Sequence, residues 1–227
     1  MAYKSGQDGQ DGRDRLVGRV GHAGTTRFAL AALLLLAGAS LVAQQSGTVD
    51  PTAIPVEQEP HHRLVFTNDF VRVIDATLPP LYVSEKHTHS LDNVAVTIQM
   101  GSPKGQSRVG FAGFARGGYS HVITNPNTGP MRFIDVELRA ADRGDAEGEL
   151  EQQSHEVVLS NARVRVSRVT LDPGATIDEH QHASGYVTVT IRGGEGAGVW
   201  RWHPSGEPTS SLKSGRATLE MVEIEPR

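Results

Sequence analysis

The sequence predicts an all-β protein made of two tandem copies of one small barrel or sandwich domain behind an N-terminal export segment. Three observations carry this. Residues 62–98 align with residues 155–191 at a constant offset of 93 without a gap, and fifteen of the thirty-seven positions are identical. A period this long marks a duplicated domain rather than a short solenoid unit. The apolar residues alternate in short β-branched runs separated by Gly/Pro turns, and no convincing amphipathic helix follows residue 44.

Residues 1–43 read as a signal peptide or signal anchor. Arg13, Arg15, Arg19 and Arg27 precede the apolar run 28–43, which ends in small residues. Sixteen residues are short for a membrane span of roughly 20. Contact with a membrane is therefore expected only if this segment stays uncleaved. Residues 44–60 carry three prolines and no periodicity, the mark of a linker.

The first domain is placed at 61–139. Its strands are Leu64–Phe66, Phe70–Leu78, Val94–Ile98 and Met131–Leu138. The charged, glycine-containing stretch 140–153 is read as a second linker. The second domain, 154–227, repeats the strand order with 156–159, 163–171, 186–191, 199–203 and 217–225. Asp172-Pro-Gly174 is a turn in which Gly can take positive φ.

The chain has no cysteine, which excludes a disulfide framework, a thiol nucleophile and a thiolate metal site. Export without disulfides suits a periplasmic or secreted protein. The net charge of −4, with both signs interspersed, leaves no basic footprint for nucleic acid.

Two of the ten histidines form the pair His87/His89, and two more form His180/His182 at the same place in the repeat. On a strand, residues i and i+2 share a face, so each pair can aim two imidazoles at one point. Neutral imidazole is a common metal ligand. His61 and His62 are expected at the surface, and His155, which matches His62, in a structural role. Trp200 and Trp202 alternate on one strand face and read as core or interface packing.

With His87-Thr-His89 and a downstream His121-x3-Asn125, the chain resembles the cupin superfamily. The resemblance spans nearly all of residues 61–227 as two tandem units. It implies two double-stranded β-helix, jelly-roll barrels of the bicupin kind. It also implies a divalent metal ion, one of Fe, Mn, Zn, Ni or Cu, held in the first barrel by His87, His89 and His121. The motif's Glu is missing: Asn93 stands in its place with Asp92 beside it. The motif's flanking Gly is absent near Tyr82, whereas Gly174 survives in copy two. In the second barrel Tyr186 replaces the Glu and no His stands near Pro208–Ser211, so His180, His182 and Tyr186 read as a polar pocket. His203 could reach it from a neighbouring strand, although nothing in the motif demands this.

The resemblance implies dioxygenase, decarboxylase, isomerase or lyase chemistry on a small organic molecule. Asp92 is then the candidate base, Asn93 a hydrogen-bonding partner of substrate, and Ser90 a rim residue. The alternative is a non-catalytic periplasmic barrel that binds a small ligand or a metal. A homodimer through edge strands is also expected, with the Trp200/Trp202 strand as the candidate contact.

Overall fold

The computed structural model describes residues 48–102, 108–142 and 155–227. The expected export segment, residues 44–47 and most of the expected second linker lie outside the described residues. The first barrel comprises β1 (Ile54–Pro55), β2 (His62–Thr67), β3 (Val71–Leu78), β4 (His87–His89), β5 (Asp92–Met100), β6 (Ala112–Ala115), β7 (Tyr119–His121) and β8 (Met131–Leu138). The second comprises β9 (His155–Ser160), β10 (Val164–Leu171), β11 (Thr176–Ile177), β12 (His180–Gln181), β13 (Tyr186–Arg192), β14 (Trp200–His203), β15 (Pro208–Thr209), β16 (Leu212–Lys213) and β17 (Leu219–Pro226). No α-helix occurs among the described residues, and none of their helices is long and apolar enough to cross a membrane.

Each barrel has one five-stranded sheet, in the order β2-β3-β8-β5-β6 in the first and β14-β13-β17-β10-β9 in the second. A smaller sheet, β1-β4-β7, closes the first barrel, and the pairs β11-β16 and β12-β15 close the second. The duplication extends to irregularities of the backbone. Bulges fall at Val65 and at its counterpart Val158, and again at Ile98 and its counterpart Ile191. A bulge bends and twists its strand, so the two sheets share their curvature.

The two barrels belong to one compact unit. Strand alternation explains what holds them. On β3, Val71 and Val73 face a core shared with the second barrel, while Arg72 between them pairs with Glu137 on the other face. On β10, Val164 and Val166 face the same core, while Arg165 pairs with Glu225. On the last strands Ile134, Val136, Val222 and Ile224 also enter it. Valine-rich faces therefore pack sheet on sheet, and the acidic residues between them turn into the barrels.

Trp200 and Trp202 pack at this junction. Trp202 stacks on Phe70 at 5.7 Å between ring centroids, and Trp200 lies 5.5 Å from Phe66. The expected interface strand thus meets the other barrel of the same chain. Arg163 adds an ion pair to Asp92 across the junction at 2.9 Å.

Two sequence expectations need correction, and a third observation finds its physical reason. Residues 48–60 are not a free linker: Ile54 pairs with His87, Val56 is buried, and the backbone N–H of Asp50 donates to Ser120. Burying Val56 and aligning β1 beside β4 offsets the cost of ordering this stretch. His62 is not at the surface; it is 3% exposed and its Nδ1 lies 2.5 Å from the buried Glu59 carboxylate. Copy one needs no glycine at the place of Gly174, because Leu81 takes the left-handed conformation there (φ 59°, against 80° at Gly174).

Candidate metal centre

His87 and His121 are direct partners across β4 and β7, and His89 sits opposite Tyr119 on the same two strands. One ligand atom from each of His87, His89 and His121 lies within 4.8 Å of the others. The structure therefore gathers the three histidines that the sequence placed in the first barrel. His87 and His89 are 0% and 2% exposed, and His121 is half-buried.

The far side of each β4 ring is held. His87 Nδ1 donates to the Glu85 carbonyl at 2.9 Å, which leaves a lone pair on Nε2. That atom faces His121 Nε2 at 2.9 Å. Two nitrogens each about 2.1 Å from one ion would stand about 3 Å apart in adjacent positions, so the spacing suits a first-row metal. His89 Nδ1 lies 3.3 Å from Glu137 and 3.5 Å from Asp135, both carboxylates buried in the barrel. A carboxylate behind a ligating imidazole fixes its tautomer and raises its basicity.

Burial sets the charges. It pushes His87 down to about 4 and His121 down to about 3, so both rings are neutral near pH 7. His89 is moved up: burial opposes the charged ring, but the Glu137 and Asp135 carboxylates outweigh it. Asp135 is itself raised by burial.

Neither expected catalytic side chain stands free. Asp92 does not turn inward: its carboxylate accepts from the Gly117 N–H at 2.9 Å and from Arg163 of the second barrel at 2.9 Å. Its place on β5 puts it on the sheet face opposite Asn93. Asn93 does enter the barrel, but its amide nitrogen donates to Asp135 at 3.0 Å and to the Tyr119 hydroxyl at 3.2 Å. Asn93 is thus a support for the groups behind His89. Ser90 is exposed at the end of β4.

The second barrel is more than a polar pocket. His155, His180, His182 and Glu223 each place a ligand atom within 4.8 Å of the others. His180 Nε2 faces His182 Nε2 at 3.1 Å, while His180 Nδ1 contacts the Asp178 carbonyl at 2.9 Å. Glu223 lies 3.2 Å from His155 Nε2 and 3.8 Å from His182 Nε2. Burial pushes His182 down to about 4 and Tyr186 up to about 12. The Tyr186 hydroxyl is hydrogen-bonded to Thr209 at 2.7 Å, and its ring stacks on His203 at 4.6 Å. His180, Tyr186, His203 and Glu223 line a cavity of about 610 Å³. Sequence reading missed His155 and the acidic residues of β8 and β17. The available signal was two acids spaced i, i+2 inside each apolar last strand.

No protein-family model matches the chain, and no curated protein matches it in sequence. Solved structures are similar to it. AerE from Microcystis aeruginosa is 12% identical, with 76% of this chain and 96% of that one covered at a TM-score of 0.56. Oxalate decarboxylase from Bacillus subtilis, described with Mn(II) centres, is 13% identical over 79% of this chain and 78% of that one, at 0.49. Salicylate 1,2-dioxygenase from Pseudaminobacter salicylatoxidans is 11% identical over 69% and 71%, at 0.47. At such identities the likeness is one of fold, and the AerE match carries it. With its duplicated sheets and its inward-facing histidine strands, the chain has the tandem cupin-type double-barrel fold.

Proposed function

We propose that this chain is an exported metalloprotein that holds a divalent transition metal on His87, His89 and His121 and uses it to act on a small organic acid. The observation that carries the reading is the convergence of one ring nitrogen from each of His87, His89 and His121, two of whose rings are held by contacts of their own. His87 is held by a backbone carbonyl and His89 by two buried carboxylates. Three imidazoles bring no negative charge of their own to the ion and leave coordination positions open, which favours an anionic ligand. A bound metal would supply Lewis acidity or, if it is redox-active, electron transfer.

The chain's own residues supply orientation. Glu85 and Glu137 set the two tautomers. Asn93, which also donates to the Tyr119 hydroxyl, holds Asp135 in place. Dioxygenase, decarboxylase, isomerase and lyase chemistries all fit this arrangement. A second reading, a barrel that binds a small ligand without turning it over, is favoured by the 610 Å³ cavity of the second barrel.

The test is to strip the protein, reload it separately with Fe(II), Mn(II), Zn(II), Ni(II) and Cu(II), and assay each form against a panel of small carboxylic and phenolic acids. Turnover with one metal that is lost in His121→Ala is the expected result. Tight binding of a panel member with no product from any form would favour the second reading. Export is supported by the basic and apolar pattern of residues 13–43. N-terminal sequencing of the exported protein should begin near residue 44. Retention of the whole chain in the cytoplasm would refute export.

A further inference from the structure

The two barrels keep one backbone but not one set of donors. The register that pairs His87 with His121 pairs His180 with Thr209. The second barrel has therefore lost one imidazole. Two other side chains converge on the place it would serve. His155 comes from the first strand of the barrel and Glu223 from the last, and neither stands at a position of the His-x-His motif.

Their counterparts in the first barrel are differently engaged. His62 is bonded to Glu59. Asp135 lies behind His89, near Nδ1. Glu223 is one methylene longer and lies 3.8 Å from His182 Nε2, the same nitrogen that faces His180 Nε2. The carboxylate has moved from the back of the histidine to its front. A small void of about 30 Å³ adjoins His155, His182 and Glu223 on the side lined by Arg165 and Glu225, and the four donor atoms themselves lie within 4.8 Å of one another.

We propose that the second barrel holds its own divalent first-row metal ion on His155, His180, His182 and Glu223. Three imidazoles and one carboxylate neutralise half the charge of such an ion and form a set suited to Fe, Mn, Ni, Co or Zn. Because His180 and Glu223 also line the large cavity, a small organic anion entering it would reach the ion. This site stands independently of the first-barrel reading.

Co(II) titration of the metal-stripped full chain, followed by its visible spectrum, tests it. Wild type is expected to take up two equivalents. His87→Ala/His121→Ala should keep one. Adding Glu223→Gln, a near-isosteric change whose fold is checked by circular dichroism, should weaken that one more than about tenfold, the range seen even for groups that only touch a ligand. If His87→Ala/His121→Ala takes up no Co(II), or if its one equivalent survives His155→Gln/Glu223→Gln, the proposal is overturned. If wild type takes up a single equivalent that His155→Gln/Glu223→Gln removes, this site stands and the first-barrel reading falls.

Discussion

The two barrels solve one problem with different residues. In the first, three histidines from two adjacent strands meet, and the acids Asp135 and Glu137 stand behind them. In the second, the third strand position carries Thr209, and Glu223 stands level with the histidines' facing nitrogens. The backbones match down to their bulges. The difference teaches that a barrel lumen is a ring of inward positions from which a donor set can be drawn in more than one way. Losing one imidazole does not empty the ring, because the neighbouring strands also point there.

The largest expected effect separating the barrels comes from their half-buried arginines. Arg72 lies beside Glu137, which is 0% exposed, and also reaches Glu57. Arg165 lies beside Glu225, which keeps some exposure. Arg72→Ala should cost about 3–5 kcal/mol, because it strands a fully buried carboxylate. Arg165→Ala should cost about 2 kcal/mol, because water can reach Glu225. Urea unfolding measures both, and equal losses would break the comparison.

The acid limb of stability comes next. His87, His121 and His182 have folded-state values of about 4, about 3 and about 4, lowered by burial from an unfolded value of 6.5. Their contribution is therefore complete above pH 6.5. It is lost as pH falls toward 4, because only the unfolded chain binds the protons. His89 acts in the opposite sense: its raised value adds stability at low pH that disappears as pH rises through it. His203 is also lowered by burial, so each barrel contributes two such groups among the described residues. His121→Gln should flatten the metal-free slope between pH 4 and 6.5 by about one proton. An unchanged slope would mean that His121 is solvated in the folded protein.

The smallest effect is at the turn before each histidine strand. Leu81 is an exposed residue held at φ 59°, where Gly174 sits at 80° in the other copy. A left-handed non-glycine residue costs about 1–2 kcal/mol, partly offset by the greater freedom of glycine in the unfolded chain. Leu81→Gly should raise stability by up to about 1 kcal/mol. Gly174→Ala should lower it by a similar amount through backbone strain alone, since nothing lies within 4 Å of the added Cβ. Thermal melts of the two variants moving in the same direction would contradict this.

Much of the fold was legible because duplication and alternation are properties of the sequence itself. The succession of strands along the chain and the two barrels follow from the repeat and the alternation, while the first histidine triad follows from the family resemblance carried by His87-Thr-His89 and His121-x3-Asn125. Asp92 was misread because a neighbour in sequence on a strand points to the opposite face, and here that face meets the second barrel. His62 was misread because its partner, Glu59, lies in a proline-rich stretch with no strand pattern. The second-barrel set was missed because the gapless alignment ends at Ile191, before the last strand. Glu223 and Glu225 follow Asp135 and Glu137 only when the shorter loops of copy two are allowed for.

The most direct test of the central claim isolates the first barrel. In untagged His155→Gln/Glu223→Gln protein, elemental analysis after exposure to Fe(II), Mn(II), Ni(II), Cu(II) and Zn(II) in turn should find one tightly held equivalent of at least one metal. Adding His121→Ala should abolish it. If none of these ions is retained, or if the equivalent survives His121→Ala, then His87, His89 and His121 are not a metal centre.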